Sequence, residues 1–230
     1  MLNESAIERL RFSSIEPMDV TQDFVDLVSS TERIAPHFHM PLQSGSDRVL
    51  HSMHRWYRTA HYARRVEIIH DRLPHAAAGA DVIAGFPSET EEDHRVTMDF
   101  IERLPLAYLH VFSFSAREGT EADKLAETVD GRVIHRRARE LRALGDAKMK
   151  AFHTGQKGRT LRVLTLDRKD RDWTPAISGN FLKVRLAGLW PRNRWMNIIF
   201  DESDAPLVPL SAERFSSPES PERKQDCLNA

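Results

Sequence analysis

Two rhythms of hydrophobic and polar positions run along this chain of 230 residues, and they change near residue 158. Up to that point short apolar runs alternate with stretches of helical spacing. Residues 10–15 read as a short strand ending at Glu16-Pro17. Residues 19–29 carry Val20, Phe24, Leu27 and Val28 at a spacing that predicts a helix. A second strand, 37–42, closes in Gln43-Ser44-Gly45-Ser46, and helical segments are expected at 47–53 and 61–73. Residues 80–84 form a third predicted strand. Ser88 with Glu91, or Thr90 with Asp93, offers a capping-box start to a helix that runs to Leu104. Residues 107–113 are a fourth strand, and a long helix is expected at about 132–152. Four strand–helix units in a row predict an α/β fold built on a parallel sheet with right-handed crossovers. Four strands cannot close a barrel, so the sheet is expected to be open, or a piece of a larger one.

From 158 to about 210 the helical period disappears. Residues 160–166, 180–186 and 195–200 alternate, with turn residues between them, which predicts a small antiparallel β-barrel. Alternation sets Lys183 and Arg185 on the face opposite Leu182, Val184 and Leu186, charge outside and apolar groups inside. The Ser/Pro/Glu-rich end reads as a disordered tail. The expected organisation is therefore 1–152, 155–210 and a tail at 211–230.

Charge sharpens this division. The net charge is −1, yet residues 131–171 hold 13 Lys or Arg against 4 Asp or Glu, a surplus of +9 that leaves −10 elsewhere. Such a block suits either a polyanion partner or a solvated helix face. Lys157, Arg159, Arg162, Lys183, Arg185, Arg192 and Arg194 are the candidate RNA-binding residues, with Trp173, Phe181, Trp190 and Trp195 as candidates for stacking or for the core. The single cysteine, Cys227, excludes a disulfide framework or a cysteine metal site. His37, His39, His51, His54 and His61 have no compact ligand spacing, so no metal site is expected, although alternation puts His37 and His39 on one strand face. No apolar run approaches the roughly 20 residues a membrane span needs, and no charged-then-apolar leader opens the chain. A soluble, cytoplasmic protein is the expectation.

Every strand of the first region ends in a polar or glycine-containing loop: 13–16, 43–46, 85–88 and 113–115. Singly, each has a plain explanation; Ser88 can simply cap a helix. Together they set hydroxyls, amides and a carboxylate on one rim, with close backbone approach expected at Gly45 and Gly85. That composition suits a polar organic cofactor with a ribose. Glu16 can accept from two vicinal hydroxyls, and the 83–86 edge can receive a flat base.

The loops "RFSSIEP", "HMPLQSGS", "GADVIAGFPSETEEDH" and "YLHVFSFSAREGT", with "GNFLKV" of the second region, together resemble the radical S-adenosylmethionine methylthiotransferases. The likeness runs in order from about Arg9 to Phe200 and is nearest to the branch acting on N6-threonylcarbamoyladenosine beside the tRNA anticodon. The resemblance leaves open, as an alternative, a methylthiotransferase acting on isopentenyladenosine in tRNA or on a ribosomal protein. The resemblance implies a partial (βα) radical-enzyme barrel followed by a TRAM RNA-binding domain. It implies S-adenosylmethionine contacts at Ser14 and Glu16 near the ribose, at Gln43 and Ser44 on the next strand end, and at Ile83, Gly85 and Phe86 beside the adenine. A tRNA anticodon stem-loop and an electron donor are the implied partners, and methylthiolation at adenine C2 the implied reaction. The family also carries 4Fe-4S clusters held by cysteines, and those motifs are absent from this sequence. The chain is therefore expected to begin partway into the barrel, as a truncated form or a fragment of a longer enzyme. No general acid or base is expected among its residues. Two readings from other classes stay open: a catalytically inactive tRNA-binding remnant, and a cluster-free lyase or aldolase. The second wants a lysine at a strand end, and none occurs between Met1 and Leu73.

Overall fold

A computed structural model describes residues 4–117, 119–122, 125, 128–167, 172–203 and 205–212. Strands β1 (His37–Gln43), β2 (Ala77–Ala84) and β3 (Tyr108–Ser113) form a parallel sheet in that order. Between and after them run α1 (Gln22–Ser29), α2 (Asp47–Ser52), α3 (Thr59–Arg72), α4 (Glu91–Arg103) and α5 (Gly131–Gln156). One sheet face, built by Phe38, Met40, Leu42, Ala78, Ala80 and Val82, shares a core with Val66 and Ile69 of α3, Ile101 of α4 and Leu141 of α5. The other face carries His37, His39, Gly79, Asp81, Tyr108 and His110, as strand alternation requires. The α4 cap uses the second of the two predicted pairs: Thr90 Oγ1 accepts from Asp93 N, and the Asp93 carboxylate accepts from Thr90 N.

The predicted strand at 10–15 is not one, so the parallel sheet has three strands rather than four. Leu10 makes a single bridge to Ile34, and Ile15 N donates to His39 O at 2.9 Å beside the β1 edge. The polar Ser13-Ser14 pair and Pro17, which opens a short 3-10 turn, end the pairing there.

The second unit is an antiparallel sheet of β4 (Thr160–Thr165), β5 (Trp173–Ser178), β6 (Lys183–Ala187), β7 (Trp195–Ile199) and β8 (Pro209–Ala212), ordered β6-β5-β4-β7-β8. It curls until Leu207, just before β8, bonds the far edge: Ala187 N donates to Leu207 O and Leu207 N to Arg185 O. Leu182, Val184 and Leu186 are buried with Val163, Met196 and Ile198, while Lys183 and Arg185 are exposed, as alternation predicts. β5 and β8 escape a reading by pattern because Pro175 and Pro209 sit in them. α5 runs on to Gln156, through the expected boundary at 152, and β8 carries two residues of the expected tail; residues 213–230 lie outside the described residues. Among the described residues, no helix is long and apolar enough to cross a membrane.

Candidate functional site

The carboxyl ends of β1 and β2 open onto a cavity of about 310 Å³ lined by Gln43, Ile83 and Phe86 from the strand ends, by residues 52–55 and by Leu125. Gln43 reaches it through a positive φ of 67°, at an irregularity where the β1–β2 register shifts between Pro41 and Gln43. That bend is pinned from behind. The Tyr57 hydroxyl donates to the carbonyls of Pro41 (2.7 Å) and Leu42 (3.1 Å), and burial pushes this phenol up to about 12, so it remains a neutral donor. Phe86 packs edge-on against Phe114, giving the cavity a rigid aromatic wall.

Three of the predicted cofactor residues, Gln43, Ile83 and Phe86, thus meet in one place. Glu16 reaches the rim through Arg55, 3.9 Å away. Ser14 is exposed on the preceding loop, outside the lining. Ser44 and Gly85 are not among the lining residues and make packing contacts. Ser44 is fully buried; its Oγ pairs with Thr97 Oγ1 and accepts from Ser46 N. A Cβ on neighbouring Gly45 would come within 2.7 Å of Thr97 Cα, so that glycine lets α4 approach. Gly85 has φ 78°, and a Cβ there would overlap Ile134 of α5. Both glycines thus let a helix pack close to the strand ends. Gly85 N donates to Glu89 Oε2 at 2.7 Å, and Glu89 forms a buried pair with Arg137 at 2.9 Å. Burial pushes the Glu89 carboxyl up, against the opposing pull of the Gly85 N–H and Arg137. Arg55 and His54, with its φ of 55°, line the cavity although nothing in "HSMHRW" marks a strand-end site.

On the open sheet face the Tyr108 hydroxyl lies 2.8 Å from His37 Nε2 and 3.0 Å from His39 Nδ1. His39, Asp81 and His110 bring three ligand atoms within 4.8 Å of one another, a grouping invisible to spacing along the chain. Burial, helped by the Arg11 guanidinium, lowers His37 to about 4. An iron–sulfur cluster is a different matter. It needs several thiolates, and Cys227, the only one, lies outside the described residues, so this chain does not fit that group.

The candidate RNA residues do not share one surface. Arg159 and Arg162 line a groove of about 950 Å³ between the two units, with Arg9 and Arg72. Lys183 and Arg185 line a second groove, of about 380 Å³, against Lys150 and His153 of α5. Lys157 pairs with Asp201 at 3.4 Å, and Arg192 with Asp167 at 3.4 Å; Arg194 belongs to the same exposed loop as Arg192. On α5, Arg136 is held by Glu91 and Glu140. Of the candidate stacking rings, Trp195 is buried between the Arg9 and Arg162 guanidinia, and its Nε1 donates to Glu8. Phe181 tilts against His37 at 4.7 Å. Trp190 packs on the second core and donates to Ala187 O. Trp173 lies under Arg185, 5.8 Å from its ring centre.

No protein-family model matches the chain. It is 38% identical over 188 residues to the threonylcarbamoyladenosine tRNA methylthiotransferase MtaB of Aquifex aeolicus, covering 82% of this chain and 45% of that protein. It is 40% identical over 182 residues to the tRNA-2-methylthio-N(6)-dimethylallyladenosine synthase of Paenarthrobacter aurescens, covering 78% and 35%. Among solved structures, coproporphyrinogen III oxidase (HemN) from Escherichia coli, a radical SAM enzyme, superposes with a TM-score of 0.52 at 12% identity over 84% of this chain and 46% of that one, a likeness of fold. The chain spans less than half the length of these relatives. By sequence, it belongs to the family of tRNA methylthiotransferases.

Proposed function

We propose that this chain serves tRNA methylthiolation, the addition of sulfur and a methyl group at adenine C2 of N6-threonylcarbamoyladenosine beside the anticodon. Its first unit would hold S-adenosylmethionine and its second, as a TRAM-type barrel, the anticodon stem-loop. The observation that carries the cofactor reading is the convergence of Gln43, Ile83 and Phe86, from two separate motifs, on one cavity. Ile83 and Phe86 offer an apolar wall for adenine, Gln43 an amide for its edge, and Arg55 with Glu16 a polar rim for ribose and carboxylate. S-adenosylmethionine, when bound, supplies the methyl group and the radical source. The residues here bind and orient it and exclude water. With one cysteine in the sequence, no step through a cluster follows from this chain.

A second reading, a tRNA-binding remnant without catalysis, draws on the same cysteine count. Equilibrium dialysis of the chain with S-adenosylmethionine, beside gel-shift titration with threonylcarbamoyl- and isopentenyl-modified anticodon stem-loops, separates the two. Binding of both ligands, with preference for the threonylcarbamoyl form, supports the first reading. RNA binding with no S-adenosylmethionine binding supports the remnant.

A further inference from the structure

The sheet face turned away from the helices carries a cluster that neither the cofactor cavity nor the basic grooves use. Alternation on three adjacent strands puts His39, Asp81 and His110 side by side. Asp81 lies opposite His110 in register, and His39 one pair back, opposite Gly79. A single carboxylate oxygen, Asp81 Oδ1, faces two imidazole nitrogens, His39 Nε2 at 2.9 Å and His110 Nδ1 at 3.3 Å. A tetrahedral ion with bonds of about 2.0–2.2 Å holds its ligand atoms roughly 3.3–3.5 Å apart, so seating one requires the 2.9 Å His39–Asp81 contact to open and the three atoms, which lie within 4.8 Å of one another, to draw together.

The second observation is how His39 is held. Tyr108 OH touches His39 Nδ1, the nitrogen turned away from Asp81, and also His37 Nε2. With no ion bound, the 2.9 Å contact between His39 Nε2 and Asp81 Oδ1 is a hydrogen bond carried by the ring proton. When the Tyr108 hydroxyl instead accepts from His39 Nδ1–H and donates to His37, Nε2 turns a lone pair toward the carboxylate and a cation can take the proton's place. Ligating imidazoles are commonly oriented through the nitrogen that does not bind, and the Tyr108 hydroxyl fills that role here. Exposure grades from buried His39 through half-buried Asp81 to exposed His110, which leaves an entry path and room for water on the ion.

We propose that His39, Asp81 and His110 bind one divalent transition-metal ion of the zinc or cobalt class, in a two-histidine, one-carboxylate set with positions open to water. Nitrogen and oxygen ligands on three strands distinguish this site from a thiolate-held cluster.

The test is titration of the untagged, metal-stripped chain with Co²⁺ alone, followed by its visible ligand-field bands, and X-ray absorption of the zinc-loaded chain. One equivalent should bind, with two imidazoles and an oxygen donor in the zinc shell. His110→Ala and Asp81→Asn should each weaken cobalt binding at least tenfold, and Tyr108→Phe about tenfold by freeing the His39 ring. His70→Ala and Cys227→Ser should leave it unchanged. His110 is exposed, so its variant should keep the wild-type melting temperature, and the zinc spectrum needs no variant at all. Absence of cobalt binding, unchanged affinity in His110→Ala, or sulfur in the zinc shell would overturn the proposal.

Discussion

The ring of Tyr108 occupies the space that a side chain on Gly79 would fill, and a Cβ there would overlap Tyr108 Cζ and its hydroxyl. The two residues are register partners on β2 and β3. The glycine lets the ring lie across β2 and set its hydroxyl between His37 and His39. Gly79→Ala should therefore displace the ring and destabilise the fold by about 1–3 kcal/mol. In a Tyr108→Ala background the same change should cost far less, giving a coupling of about 1 kcal/mol or more in a double-mutant cycle. Additive effects in urea unfolding would show that the ring does not set the cost.

The strand-end residues divide into those that face the cavity and those that hold the loops. Phe86→Ala and Gln43→Ala should each weaken S-adenosylmethionine binding about tenfold, or roughly 1.4 kcal/mol. Ser44→Ala, which removes a buried hydroxyl paired with Thr97, should lower stability by about 1 kcal/mol and leave affinity unchanged. Loss of affinity in the Ser44 variant alone would reverse this assignment.

Arg137 and Glu89 are both almost wholly buried and join α5 to the Gly85 loop. Arg137→Met strands a buried carboxylate and should cost about 3–5 kcal/mol. Adding Glu89→Gln should recover part of that loss, because the uncompensated charge is then gone. A double variant no more stable than Arg137→Met would rule out charge as the source.

Asp93 ties α2 to α4. Burial alone would raise its carboxyl, but hydrogen bonds from Arg48, Thr90 and Ser46 outweigh it and hold the group well below the ordinary aspartate range. A depressed folded-state value means that its contribution is fully present above about pH 4 and is lost as pH falls below that, through the folded value. Acid unfolding of wild type should therefore be steeper below pH 4 than that of Asp93→Asn, which should already be weaker at neutral pH by roughly 1–3 kcal/mol. Parallel acid profiles for the two proteins would contradict the assignment.

The two basic grooves make separable predictions for RNA. If phosphates lie along Lys183 and Arg185, replacing both with Ala should flatten the slope of log K against log salt by roughly one to two units. Replacing Arg159 and Arg162 tests the groove between the units in the same way, with a melt to confirm that Trp195 keeps its seat. Salt-independent binding of an anticodon stem-loop, or slopes unchanged in both double variants, would remove RNA from these surfaces.

By itself the sequence determined the elements whose burial repeats along one segment. Apolar strand runs marked β1, β2 and β3, alternation at 182–186 set Lys183 and Arg185 outside, and Thr90 with Asp93 marked the start of α4. The motif loops also led to Gln43, Ile83 and Phe86, which do share a cavity. Tertiary structure decided what each polar or small residue near those loops is for. Gly45 and Gly85 face Thr97 and Ile134 because α4 and α5 pack down on the strand ends, and nothing local distinguishes a glycine beside a helix from one beside a ligand. The local pattern at Trp195 fits either core or contact, and Arg9, far away in the chain, completes its setting. His39, Asp81 and His110 meet only through the register of three parallel strands, joined by crossovers that place distant residues in one row. Periodicity reports which side of an element is buried, whereas cross-strand neighbours are set by how the helices seat the sheet.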